Sequence, residues 1–301
     1  MIWQKSSAGL RHPIDAVVFD VDGVLIDDTV SYYAAIKATV EYVIRALYRA
    51  SQTDVNVTDQ AIMAFKAAGG FNDDWVLAYT ICGLLLNGAA RGEADLIELA
   101  AQSAGRGMPW LRAQHFASLD LDHDLVQRVG MEHYWGADQF QRAFSQAPAH
   151  YHGPGYVRLE KSLVSEAYWD QLRAAGVQQL GLITGRNTVE LHSALKTLNL
   201  ERSNPFTFML DSTQLRKPDP QALAVMLDTL APSGALYIGD TGDDLKLVLN
   251  YRQYRPRGVP CLAAIVAKAG QRELFQEAGA DLVMDAATEL PAALRALRAP
   301  A

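Results

Sequence analysis

From about residue 178 to residue 284 the chain alternates short β-type runs with segments of helical pattern, and few folds accept that rhythm. The runs are QQLGLIT (178–184), PFTFML (205–210), ALYIG (235–239), PCLAAIVA (260–267) and DLVM (281–284). Helical stretches of ordinary length, such as TVELHSALKTLN and PQALAVMLDTLA, lie between them. Strands that alternate with helices predict βαβ units and a parallel sheet. One more strand of this kind, at 16–20, lies far upstream. Ala16 to Phe19 are apolar without alternation, as befits a strand covered by helices on both faces.

The block between these parts, 28 to about 160, has a different texture. In SYYAAIKATVEYVIRALYRA, Tyr33, Ile36, Val40, Val43, Ile44 and Leu47 form one helical stripe. TDQAIMAFKAAGG opens on Thr58 as an N-cap and closes at Gly69. Helical patterns continue through 73–86, 93–104, 121–129 and 137–146. APAHYHGPGY (147–156) then reads as a return linker. The prediction is an α/β domain with a mostly helical insert placed just after its first strand.

Half of the 301 residues are hydrophobic, enough for substantial cores in one large or two ordinary domains. The net charge of −7, without Lys/Arg clusters, argues against nucleic acid or an anionic membrane as partner. A small anionic substrate stays open, because a metal or a few cations reverse the sign of one cleft. Cys82 and Cys261 sit in apolar segments and read as buried thiols. The N-terminus lacks a signal-like apolar core, and VLAYTICGLLL is too short to span a bilayer, so a cytoplasmic chain is expected. The oligomeric state, monomer or homodimer, stays open.

In open α/β sheets ligands bind beyond the carboxyl ends of the strands, and those ends are polar here. Asp20 and Asp22 follow the first strand, and residues two apart on an extended chain point to one side. Two carboxylates in one small region repel each other, so something must offset that cost. Thr184, Gly185 and Arg186 follow the second run, and Asp240, Asp243 and Asp244 the fourth. Lys217 lies between the third and fourth, ahead of a proline that stiffens its backbone. Taken singly, each has a plain structural reading as a cap, a turn former or a surface charge.

The ordered set DVDGVLID, ITGR, RKPDP and IGDTGDD resembles the haloacid dehalogenase-like superfamily, over residues 12–27 and about 160–285. The resemblance implies a Rossmann-like parallel-sheet core, residues 1–27 and 160–301, and a C1-type helical cap of subfamily I, residues 28–159. It implies a phosphatase acting on a small organic phosphate monoester through an aspartyl-phosphate on Asp20. By that resemblance Mg²⁺ is the cofactor, held by Asp20, Asp240 and the backbone carbonyl of Asp22. Asp244 matches the second acidic position, and Asp243 is a ligand or its outer neighbour.

On the same resemblance Asp22 protonates the leaving oxygen and later activates water, while Thr184 and Lys217 steady the phosphoryl group. Gly23, Gly185 and Arg186 lie where phosphate approaches. Asp22 also favours phosphoryl chemistry over dehalogenation, which lacks an acid at that position. A phosphomutase is the alternative within the superfamily, and a phospho-acceptor signalling domain the alternative outside it.

In the insert, KAAGGFNDDW suggests a specificity loop in which Lys66, Gly70, Phe71, Asn72 or Trp75 reach substrate. The competing reading there is an ordinary helix cap followed by an Asp-rich helix start. His150 and His152 read as linker histidines, and LDLDHD (119–124) as the entry to a helix.

Overall fold

The computed structural model describes residues 2–5, 13–50, 55–71, 73–113, 121–268 and 270–298. The chain forms two compact units, an α/β unit of Met1–Asp28 with Lys161–Ala301 and a helical unit, Thr29–Glu160.

In the α/β unit the strands are β1 (Trp3–Gln4), β2 (Ala16–Phe19), β3 (Ile26–Asp27), β4 (Lys161–Ser162), β5 (Gln179–Ile183), β6 (Phe208–Leu210), β7 (Ala235–Gly239), β8 (Cys261–Val266) and β9 (Leu282–Met284). The main sheet has the order β1-β9-β8-β7-β2-β5-β6. All its pairings are parallel except that of β1 with β9. The parallel sheet predicted from the sequence is therefore present. The two-residue edge strand β1 has no counterpart in the sequence reading, because so short a run carries no pattern.

Alternation along β2 feeds two cores. Val17 and Phe19 join Leu182, Ile238 and Leu290, with Tyr168, Trp169 and Leu172 of α7 (Ala167–Ala174), on one face. Ala16 and Val18 join Tyr237, Leu223, Met226, Leu227, Leu245 and Val248 on the other. Both faces are covered, so the strand has no polar side. The chain runs from β2 to β5 and β6 in one direction, then crosses back so that β7 pairs with the other edge of β2. The strand order reverses between β2 and β7. A crevice at their carboxyl ends is the place where such sheets hold ligands.

The apolar stripe of the helical unit lies on α1 (Thr29–Tyr42), prolonged by a π-type turn, Val43–Leu47. Ile36, Val40, Val43 and Ile44 are fully buried. Next come α2 (Asp59–Ala68) and α3 (Asp74–Leu86), capped by the side chains of Thr58 and Asp73, then α4 (Glu93–Ser103) and α5 (Gly107–Ala113). Helix α3 buries most of its circumference, as its uniformly apolar sequence requires. Among the described residues no helix is long and apolar enough to cross a membrane.

The two helices expected at 121–129 and 137–146 are one element, α6 (His123–Phe144), broken only at Gly136 with φ +70°. A Cβ at Gly136 would stand 2.1 Å from the backbone nitrogen of Gly155, so the segment at 153–155 lies directly on the break. The histidine-rich stretch before it is held down by Glu132. This buried carboxylate accepts the N–H groups of Ala149, His150 and Tyr151, and the guanidinium of Arg128 at 2.5 Å. The segment expected as a linker is thus a folded part of the helical unit. Of LDLDHD, residues 119 and 120 lie outside the described residues, while Asp122 caps α6 as a helix entry does.

Candidate active site

Asp20 leaves β2 with its N–H donated to the carbonyl of Ile238 in β7, at 2.9 Å. Asp240 follows β7 directly. The two carboxylates that follow adjacent strands are thus brought to the point where the strand order reverses. Oxygens of Asp20, Asp240 and Asp244 lie within 4.8 Å of one another. Gly23 closes the turn after Asp20 with φ +69°, and a Cβ there would stand 2.1 Å from Asp240 Oδ2. Only glycine suits that position, on both conformational and steric grounds.

Lys217 reaches into the cluster from the loop before α9 (Pro220–Leu230). Its Nζ lies 2.8 Å from Asp20 Oδ1 and 2.8 Å from Asp244 Oδ1. Asp244 belongs to the first turn of α10 (Gly242–Tyr254), where it completes a capping box with Thr241. Its Oδ1 also accepts from Tyr237 OH at 2.7 Å, and its Oδ2 accepts from Thr241 Oγ1 at 2.6 Å and from the N–H groups of Thr241 and Asp240. With so many donors, Asp244 is equipped to anchor Lys217 and the strand end. Asp243 lies outside the cluster and pairs with Lys246 at 3.4 Å.

The electrostatics follow from this crowding. Burial pushes the Asp20 carboxyl well above its ordinary range, with Asp244, Asp22 and Asp240 adding to the effect and Lys217 opposing it. Asp240 is pushed up to about 6, first by burial and then by Asp244, against Lys268 and Lys217. Burial acts to lower Lys217, but Asp20 and Asp244 outweigh it and hold the ammonium above its usual range. Burial would also raise Asp244, yet Lys217 and the hydroxyls around it hold it below the carboxylate range. Asp20 Oδ1 is buried and makes no hydrogen bond of ordinary geometry, although Lys217 stands close by. Oxygen donors only, two carboxyls pushed upward and an oxygen short of a partner suit a small hard divalent cation.

Thr184 follows β5 and is buried, with its Oγ1 accepting the N–H of Arg186 at 3.1 Å. Gly185 faces open space where a Cβ would stand. Arg186 is also buried, and it forks onto Asp22. Nε lies 3.0 and 3.2 Å from the two Asp22 oxygens, and Nη2 lies 2.6 Å from Oδ1.

The residues singled out in the helical unit do not form a comparable group. Phe71, expected to reach substrate, is fully buried, its ring edge-on to Phe65 and Trp110. Gly70 has φ +79°, and a Cβ there would stand 2.6 Å from the carbonyl oxygen of Gly105. It permits two backbones to touch, which is a packing role. Lys66 lies 2.9 Å from Asp74 and 5.6 Å from the ring centre of Tyr33. Trp75 is buried, with its ring where a side chain at Gly130 would have to sit. Asn72 lies outside the described residues.

Two residues of the site escaped the sequence reading. Tyr237 stands inside β7, and its one signal is a phenol within an otherwise aliphatic run. Lys268, just beyond β8, has its Nζ 3.5 Å from Asp240 Oδ2. Its signal is a cation at a strand end, which the surface offers many times over.

Fold and site together define a Rossmann-like α/β protein with a carboxylate centre at its strand ends and a helical unit inserted in the chain between β3 and β4. The chain belongs to the haloacid dehalogenase-like hydrolases, whose family model matches residues 14–248. It is 26% identical to a phosphatase from Thermococcus thioreducens, over 82% of this chain and 92% of that one, with a TM-score of 0.63. A predicted phosphoglycolate phosphatase from Haemophilus somnus shares the fold, at 14% identity and a TM-score of 0.52, over 92% of this chain and 96% of that one. Among curated proteins, an imidazoleglycerol-phosphate dehydratase from Phytophthora nicotianae is 25% identical over 238 residues, 78% of this chain. The match spans 41% of that protein's length.

Proposed function

We propose that the chain is a Mg²⁺-dependent phosphatase that hydrolyses a small organic phosphate monoester through an aspartyl-phosphate on Asp20. One observation carries this reading: Asp20, Asp240 and Asp244 converge at the reversal of strand order, with Lys217 bridging Asp20 and Asp244. The similarity to a phosphatase at 26% identity supports it. Phosphate monoesters resist hydrolysis so strongly that about 20 kcal/mol or more of barrier must be removed. A carboxylate nucleophile divides that task into two steps.

Asp20, Asp240 and the backbone carbonyl of Asp22 are the groups that would hold the cation. The chemistry a bound Mg²⁺ supplies is charge neutralisation between the carboxylates and the phosphoryl oxygens. Asp20 attacks phosphorus, and the bond to the leaving oxygen breaks as Asp22 delivers a proton to that oxygen. Thr184 donates its hydroxyl to a phosphoryl oxygen. Lys217, held by Asp244, stabilises the charge that develops beside Asp20. Water activated by Asp22 then releases phosphate and restores Asp20. In this reading the α/β unit is catalytic and the helical unit is a C1-type cap that governs which ester is accepted.

The test is release of inorganic phosphate from a panel of metabolite phosphates, with Mg²⁺ or with chelator and without any bisphosphate activator. The panel should include phosphoglycolate, sugar phosphates and imidazole-bearing phosphates such as histidinol phosphate. Release from at least one member is expected, lost on chelation and reduced at least about a thousandfold in Asp20→Asn. Transfer of phosphate between substrate positions, with no net release, would instead mark a mutase.

A further inference from the structure

Arg186 follows the strand-end threonine, where the chain suggests a phosphate-binding cation, yet its guanidinium is engaged elsewhere. Its side chain is 1% exposed and that of Asp22 27%. A guanidinium taken this far from water needs a charged, well-aligned partner. Asp22 supplies one through a planar fork of three contacts, from Nε to both carboxylate oxygens and from Nη2 to Oδ1. A phosphoryl oxygen would have to compete with that carboxylate for the same donors.

The backbone from which Arg186 projects is fixed as well. Its N–H is donated to Thr184 Oγ1, and its carbonyl accepts the N–H of Ser212 at 2.9 Å. The next residue, Asn187, caps α8 (Thr188–Thr197) in a capping box with Glu190. The guanidinium thus stands on a rigid support where β5 turns into α8. Asp22 stands in the tight turn that Gly23 closes, and both of its carboxylate oxygens are held by Arg186.

We propose that Arg186 is a positioning residue that sets the orientation of the Asp22 carboxylate for the water step. The inference rests on the phosphatase reading above. In that step a water oxygen bonds to phosphorus while Asp22 takes the water's proton. The bond from phosphorus to Asp20 breaks, and its electron pair returns to the Asp20 carboxylate. The products are inorganic phosphate, the Asp20 anion and protonated Asp22, whose proton serves the next leaving oxygen. A base that wanders loses the advantage of being held at the reacting atom.

The experiment compares wild type, Arg186→Gln, Arg186→Lys, Asp22→Asn and the double variant on p-nitrophenyl phosphate with Mg²⁺. Arg186→Gln should lower kcat about 10- to 100-fold with KM within about twofold, and raise the steady-state level of acid-trapped phosphoenzyme. Arg186→Lys, which keeps the charge and loses the fork, should restore less than about a tenth of the lost activity. In the Asp22→Asn background, adding Arg186→Gln should change kcat less than about threefold, because both changes remove one function. A tenfold rise in KM and in the phosphate inhibition constant at unchanged kcat would make Arg186 a phosphate ligand and overturn the proposal. So would an undiminished effect in the Asp22→Asn background.

The Arg186 Nε–H resonance supplies a second measurement that needs no folded Arg186 variant. It should move on Asp22→Asn and stay in place when inorganic phosphate is titrated into wild type. The reverse pattern overturns the proposal. A wild type that releases no nitrophenol counts against the phosphatase reading, while the resonance still decides the Arg186–Asp22 contact.

Discussion

Gly23 shows how much chemistry one missing side chain can carry. Its φ of +69° and the 2.1 Å approach of Asp240 Oδ2 to a hypothetical Cβ mean that Gly23→Ala must displace the Asp240 carboxylate or the turn itself. The expected cost is about 1–3 kcal/mol of stability, together with at least a tenfold loss of apparent Mg²⁺ affinity. Mg²⁺ titrations of phosphate release and denaturant unfolding check the two effects separately. Asp22→Asn is expected to accumulate phosphorylated enzyme, read by intact-protein mass after acid quench; rapid turnover by that variant would remove Asp22 from its role. At this scale the sequence was informative about which polar residues stand beyond the strand ends, as at Asp20, Thr184 and Asp240, and about the loop lysine Lys217. It was silent on Tyr237 and Lys268, whose relevance comes only from which oxygens they face. It also misled at Phe71, because an aromatic beside a glycine pair looks the same in a sequence whether its ring faces substrate or a core.

Among the elements, α6 and the segment it captures make the clearest case. Glu132 binds three successive N–H groups and Arg128, so its loss leaves several donors, most of them half-buried, unpaired. Glu132→Ala is expected to destabilise the helical unit by about 1–3 kcal/mol. Burial alone would raise the Glu132 carboxyl, but the N–H groups and Arg128 outweigh it and hold it below the ordinary range. Its folded form therefore prefers the anion more than the unfolded chain does, whose glutamates titrate near about 4.3. The stabilisation is complete above that value and disappears as pH falls through the lower folded one. Urea midpoints followed from pH 7 to pH 3 should drop more steeply for wild type than for Glu132→Gln. The sequence showed helical pattern on either side of Gly136, yet Gly130 and Gly136 concealed that one element runs between. Glycine weakens a helical pattern locally, and only the close approaches of Trp75 and Gly155 explain why it is tolerated there.

For the molecule as a whole, two compact units imply two cooperative transitions that need not coincide. Among the described residues the clustered carboxylates Asp20, Asp240 and Asp244 all belong to the α/β unit, so its transition is the one expected to respond to metal. In the Mg²⁺-dependent reading proposed above, Mg²⁺ at about a hundred times Kd should add about 2.7 kcal/mol, a shift of several degrees in the Tm of that transition. Asp240→Asn should abolish the shift and leave the other transition where it was; calorimetry with and without Mg²⁺ reads both. The sequence by itself determined the alternation of strands and helices, hence a parallel sheet, and the polar residues that close each strand. Those features are local, because apolar periodicity and the change from buried strand to exposed turn are written in neighbouring residues. The tertiary structure alone decided that β7 crosses back beside β2, which brings Asp240 to Asp20, and that Arg186 turns to Asp22. Strand order and side-chain partnership are settled by packing between segments far apart in the chain, where no local pattern can record them.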